Sequence, residues 1–188
     1  MAERKQPEPL PLDRIRDLTL GGLFAAMGVA LPVVFHAVGG AGPVFLPMHL
    51  PVLVCGLLTR WDVALTVGIV TPLLSGLLTG MPPVIPTGVI MSAELGTLGV
   101  AGALARRAGL GVWLATVVAV AVRLMTRPLV FVAVVPLLGV RATFWEFVVL
   151  TVLPSWPGIV LQVMVAPSVA RIVERQRTIG PPVHRVKE

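Results

Sequence analysis

The chain has 188 residues, 56% of them hydrophobic and 13% charged, with a mean hydropathy of +0.92 and a formal net charge of +6. This excludes a soluble globular domain, because repeated apolar runs of about 20 residues match the roughly 30 Å hydrocarbon core of a bilayer. A pI near 11.3 would point to nucleic acid in a soluble chain, but here the basic residues are placed as topological signals.

Apolar runs between breakers predict an all-α membrane protein of six transmembrane helices, near 18 to 38, 46 to 58, 62 to 79, 84 to 105, 112 to 138 and 143 to 171. Residues 1–17 form an N-terminal segment, 18–171 the membrane domain and 172–188 a basic tail. In the first span Gly22, Ala26 and Ala30 recur every four residues, a smooth stripe on which another helix can pack closely. A charged leader precedes this span, but its 21 apolar residues are long for a signal peptide, and Ala37 to Gly39 is a poor cleavage site, so it reads as a retained helix. His36 ends it as an interfacial residue.

The second span is short, opened by Pro47 and Pro51 and closed by Thr59, Arg60, Trp61 and Asp62; its thirteen residues reach only about 20 Å. It carries His49 near its outer end and the single cysteine, Cys55, which excludes an internal disulfide. After the third span, Thr79 to Pro83 forms an outer connection. The fourth holds Glu94 about 15 Å below its outer end, followed by Gly96, Gly99 and Gly102 as a packing face.

The fifth span contains Arg123 and Arg127, one helical turn apart among Val, Leu, Ala and Phe. On translocon scales each arginine near a helix centre costs roughly 2.5 to 3.5 kcal/mol. The fifteen Val, Leu and Phe side chains of residues 112–138 return about 0.3 to 0.6 kcal/mol each at best, so insertion alone is nearly balanced. Both charges must therefore face protein, water or a ligand. Ala115 and Ala119 continue the same face toward the cytoplasm. In the sixth span Pro154 and Pro157 predict a kink around Ser155 and Trp156, while Trp145 and Glu146 read as an interface anchor and a solvated charge.

Twelve basic residues flank one set of span ends, from Arg4, Lys5, Arg14 and Arg16 through Arg60, Arg106 and Arg107 to Arg171, Arg175, Arg177, Arg185 and Lys187. Only Arg141 lies on the other side, so both termini are expected in the cytoplasm. Anionic lipid is a further expected contact of this basic side; nucleic acid is not an expected partner.

The only lysines, Lys5 and Lys187, do not follow a glycine-rich loop, so no phosphate cradle for ATP hydrolysis is present. No nucleophile elbow, His-Glu-x-x-His helix or metal-ligand spacing involving His36 and His49 occurs, and no metal, cofactor or catalytic role is expected. What is left is a polar set in the outer half of the bilayer: Arg123, Arg127, Glu94, His49, Thr79 and Trp156, read as substrate-binding. Each has a structural alternative. Arg123 can pair with Glu94 between neighbouring helices, Arg127 can bond carbonyls freed by Pro128, and His49 can be a satisfied histidine at a helix start.

The chain resembles the substrate-binding S component of an energy-coupling factor (ECF) vitamin transporter. The residues that carry the likeness are Ala26 and Ala30, Pro47-Met48-His49-Leu50-Pro51, Thr71-Pro72-Leu73-Leu74-Ser75, Thr79-Gly80-Met81-Pro82-Pro83 and Met91 to Glu94, covering most of residues 15 to 171. The Arg-rich tail after Arg171 departs from the family pattern. The resemblance implies a pocket open to the outside and covered by loops, here Gly39 to Pro43 and Gly80 to Pro83. It implies delivery by toppling against a coupling transmembrane subunit driven by two cytoplasmic ATPases, with Gly22, Ala26 and Ala30 as the docking face.

Two arginines against one carboxylate favour an anionic vitamin or precursor, such as pantothenate or a niacin-like acid. If Glu94 neutralises one arginine, a heterocycle such as a pyrimidine precursor fits equally. A stand-alone small-solute transporter and an intramembrane enzyme acting on lipid are the competing classes. The first lacks a visible inverted repeat, and the second needs an acid and a base within hydrogen-bond reach at a membrane-facing opening.

Overall fold

The computed structural model describes residues 11–37, 42–134, 145 and 153–179, and no strand occurs among them. Helix α1 (Pro11–Ala37) is followed by a single turn, α2 (Gly42–Phe45), then α3 (His49–Leu58), α4 (Trp61–Thr79), α5 (Val89–Arg107), α6 (Val112–Val134) and α7 (Trp156–Ile179). A kinked turn, Val84–Gly88, with Ile85 extended at φ -120° and ψ 129°, leads into α5, and a 3-10 turn, Leu153–Ser155, leads into α7. Five stretches are long and apolar enough to cross a membrane: Asp13–Phe35, Trp61–Thr79, Val84–Arg107, Val112–Ala133 and Leu153–Gln176. The described residues thus fit a multi-pass membrane protein.

Two helices extend past the spans read from the sequence. Helix α1 begins at Pro11, inside the stretch read as an N-terminal segment, and α7 continues to Ile179, past the boundary at 171. In the described part of the sixth span a 3-10 turn, Leu153–Ser155, holds Pro154, and α7 starts at Trp156 with Pro157 in its first turn, where the missing N–H has no intrahelical partner to lose. Expectations that fall on 1–10, 38–41, 135–144, 146–152 and 180–188 lie outside the described residues. They include Arg141, Glu146, most of the Gly39 to Pro43 loop and the end of the basic tail; the side chain of His36 also lies outside them.

Helix α5 sits at the centre, packed against α3, α4 and α6. Glycines let it approach two of them at backbone distance. A Cβ on Gly56 of α3 would collide with the Gly99 carbonyl, and one on Gly68 of α4 would fall 2.5 Å from the Leu95 carbonyl oxygen. Gly99 in turn faces Ala64, whose carbonyl oxygen would be 2.9 Å from an added Cβ. Gly99 and Gly102 therefore serve packing within the chain, as their spacing predicts.

Helix α3 is enclosed: of its ten residues only Leu50 is not buried. A ten-residue helix is too short to span alone, and burial among α1, α5, α6 and α7 removes that requirement. Helix α1 packs on α4 through Gly21 and Gly28. A Cβ on Gly21 would lie 2.7 Å from Val63 Cγ1, and one on Gly28 2.5 Å from Thr71 Cγ2. Gly22, Ala26 and Ala30 are exposed, and a Cβ on Gly22 would meet nothing within 4 Å.

The basic residues gather at one end of the bundle. There Asp17 of α1, itself buried, accepts the backbone N–H of Arg60 at 3.2 Å and so caps α4. Arg106 Nη2 meets Glu174 Oε1 at 2.6 Å while its Nη1 donates to the Leu110 carbonyl, tying the α5–α6 turn to α7. Arg171 lies over the Trp113 ring, 5.6 Å from its centroid.

Candidate functional site

The spacing of residues on α6 explains how two arginines are carried inward. Ala115, Ala119, Arg123 and Arg127 recur every four residues on one helix face. The first three have no exposed surface, and the Arg127 side chain is 17% exposed. Across from them α5 presents Glu94, 1% exposed, and the first turn of α3 presents His49, also 1% exposed.

Glu94 is the hub of this cluster. Its Oε1 lies 3.0 Å from Arg127 Nε, and its Oε2 lies 3.6 Å from both Arg123 Nε and His49 Nε2. The sequence left open which arginine the carboxylate serves; it stands between both and closer to Arg127. Counting the imidazole as neutral, two guanidiniums and one carboxylate leave the cluster with one net positive charge.

Satisfaction is incomplete. Nε, Nη1 and Nη2 of Arg123 are buried without a hydrogen-bond partner, as are Nδ1 and Nε2 of His49. Buried polar groups in folded proteins are overwhelmingly bonded, and a guanidinium removed from water is among the most costly to leave unpaired. A planar fork of five donors with this surrounding is suited to a carboxylate or phosphate.

The depth of the cluster follows from helix geometry. His49 is about 14 Å from the basic end of α3 at Leu58, Arg123 about 16 Å from the start of α6, and Glu94 about 20 Å from Arg107. The group therefore lies near mid-depth. His49 lies at the outer end of the short second span, where the sequence reading puts it, and because α3 has only ten residues that end is at mid-depth.

Two expected members stay apart from the cluster. Thr79 is exposed at the end of α4, where its hydroxyl donates to the Ser75 carbonyl at 2.8 Å and accepts the Met81 N–H at 3.2 Å. That arrangement, with Gly80 in the left-handed conformation at φ 74°, closes α4 and shapes the Gly80 to Pro83 loop. Trp156 opens α7 with 66% of its surface exposed, and Trp145 is exposed as an interface anchor would be.

One residue escaped the sequence reading. Gln162 of α7 has no exposed surface, and neither Nε2 nor Oε1 has a hydrogen-bond partner. Its signal in the sequence is a small-residue stripe, Gly158, Ala166 and Ala170 at four-residue intervals, of which Gln162 is the polar member.

Elsewhere, a groove of about 340 Å³ opens between α1 and α4 at the basic end, lined in part by Asp17, Gly22, Arg60, Asp62 and Val67. It does not reach the Glu94 cluster. Among the described residues no group of three or more His, Cys, Asp or Glu is placed to hold a metal ion. No protein-family model, curated protein or solved structure matches the chain.

Proposed function

We propose that the chain is the substrate-binding S component of an ECF-type importer. It captures a small, water-soluble, anionic vitamin or cofactor precursor at the Arg123 cluster and delivers it by toppling against a coupling membrane subunit driven by two partner ATPases. The observation that carries this reading is Arg123: a fully buried guanidinium, 3.6 Å from the carboxylate it shares with Arg127, with three nitrogens that lack hydrogen-bond partners. A guanidinium that served only to pair α6 with α5 would close onto the carboxylate in the bidentate geometry that offsets its desolvation.

The topology proposed with it has six passes, α3 completing the set, and both termini in the cytoplasm of a prokaryotic cell. The clustering of Arg60, Arg106, Arg107 and Arg171 at one end of the bundle supports that orientation. The exposed stripe of Gly22, Ala26 and Ala30 supports a docking role for α1, since the chain's own packing on α4 uses Gly21 and Gly28 instead. The intramembrane-enzyme reading is the weaker one: Glu94 and His49 are 3.6 Å apart and both buried, rather than lining a membrane-facing cleft.

The test is a ligand-induced thermal shift of the purified chain against water-soluble vitamins and their precursors. Submicromolar binding that is lost in Arg123→Ala is the expected result. A broad screen without a ligand would overturn the S-component reading.

A further inference from the structure

Gln162 has a place that its neighbours on α7 define. Gly158, Gln162, Ala166 and Ala170 are all buried at four-residue intervals, so they form the stripe that α7 turns into the bundle, where it packs on α3 and α6. At one end of the stripe, a Cβ on Gly158 would fall 2.8 Å from the Val44 carbonyl oxygen and 2.9 Å from Leu46 Cγ. One turn along α7 from that contact is Gln162. One turn on from Leu46, whose carbonyl accepts the His49 N–H at 3.0 Å, is His49. At the other end Arg171 meets Trp113. Helices α6 and α7 run antiparallel, and nine residues from that contact, about 14 Å along each axis, α7 reaches Gln162 and α6 reaches Val122, beside Arg123. Both ends put the unpaired carboxamide at the depth of the charged cluster.

A carboxamide offers a donor and an acceptor side by side, so an amide, lactam or imide edge satisfies both atoms at once. At that depth the cluster holds one uncompensated positive charge. A monoanion neutralises that charge; a neutral ligand leaves it buried, and a dianion replaces it with a buried negative one.

We infer that Gln162 is a specificity-determining residue of the Arg123 site, and that the ligand is a small monoanion carrying an amide-type donor–acceptor edge, read by Gln162 while Arg123 takes the negative group. This rests on the proposal that the cluster is a ligand site. Discrimination of this kind is strong, because a congener lacking the donor leaves the buried carboxamide oxygen unpaired.

The experiment uses the full chain in lipid nanodiscs and isothermal titration with small monocarboxylates that contain a secondary amide or lactam. Each is compared with its N-methylated congener and with the analogue in which a carboxamide replaces the carboxylate. In the wild type N-methylation is expected to weaken binding about tenfold or more. In Gln162→Leu the affinity for the parent falls to that of its N-methyl congener, so their ratio approaches one, while the cost of losing the carboxylate is unchanged. The melting temperature of the unliganded variant does not fall, since an unpaired amide has been replaced by an apolar group. Where Gln162→Leu does not give monodisperse protein, Gln162→Met is read in the same way.

A preserved N-methyl ratio in these variants overturns the role of Gln162 and leaves the transport proposal standing. The same holds if unliganded stability drops without a change in the ratio, which identifies a structural amide. If no member of the panel binds the wild type, this inference fails; failure of the broader vitamin screen is what overturns the transport proposal itself.

Discussion

Arg127 Nε lies 3.0 Å from Glu94 Oε1, nearer than either of the other cationic or titratable groups that share the carboxylate. Glu94 is thus the single negative charge holding two guanidiniums one helical turn apart in an apolar bundle. Glu94→Gln leaves both uncompensated, and a loss of about 3 to 5 kcal/mol is expected from breaking a buried pair on one side. The check is thermal unfolding in detergent, combined with the double variant Glu94→Gln, Arg127→Met. Recovery of part of the loss in the double variant measures the coupling; strictly additive losses would mean the two residues do not act as a pair.

Arg123→Met separates structure from binding. It leaves Glu94 and Arg127 as a one-to-one pair and removes a guanidinium whose nitrogens lack hydrogen-bond partners, so the melting temperature is expected to hold or rise. Affinity for an anionic ligand is expected to drop about 100-fold, the equivalent of roughly 2 to 3 kcal/mol for a charge-assisted hydrogen bond. A variant that unfolds readily instead would assign Arg123 to the scaffold.

The glycines of α5 and its neighbours give a contrast in stability. At Gly56 a side chain would collide with the Gly99 backbone, and overpacking there is expected to cost about 1 to 3 kcal/mol or to prevent folding in Gly56→Val. At Gly22 an added Cβ meets nothing, and Gly22→Ala should change stability by no more than about 0.5 kcal/mol. Melting curves of the two variants side by side test whether the crossings are as close as described.

Helix α1 permits a test of docking that does not confuse it with folding. Ala26→Trp changes the exposed face and is expected to abolish uptake with the coupling subunits while leaving ligand affinity within about twofold. Gly28→Trp, on the face against Thr71, should disrupt the subunit itself. Loss of ligand binding in Ala26→Trp would place that face inside the working structure of the subunit.

At the basic end, Asp17→Ala removes the carboxylate that accepts the Arg60 N–H at the start of α4. A loss of about 1 kcal/mol is expected, as for other removed helix caps, read as a lower melting temperature without change in ligand affinity.

Charge made most of the site readable in advance. Arg123, Arg127 and Glu94 are conspicuous because each costs several kcal/mol in an apolar run, and a cost of that size demands a partner. Gln162 is a weaker anomaly, since a neutral amide can be carried by the Val, Leu and Met residues around it, and only its burial without partners distinguishes it. The depth of His49 is not legible in the sequence, because a run bounded by prolines has no mark that says how far it reaches. Thr79 was placed by its motif, yet its hydroxyl is engaged in ending α4, a local role that Ser and Thr fill wherever a helix stops near a turn. The face of α1 that packs on α4 was likewise not separable from the face left bare, because glycine and alanine occur on both.

Helix α3 makes the membrane domain uneven from end to end. On the basic side of His49 its column is solid, nine of ten residues buried and Gly56 locked against Gly99. On the other side the column is completed by one helical turn, Gly42–Phe45, and the irregular residues 46–48. On the proposed reading the cluster is the floor of a cul-de-sac: a solute enters past the short turn and finds no second door. Release to the far side then requires the whole floor to be carried across, which is work for a rocking subunit and an external motor, not for a gate within the chain.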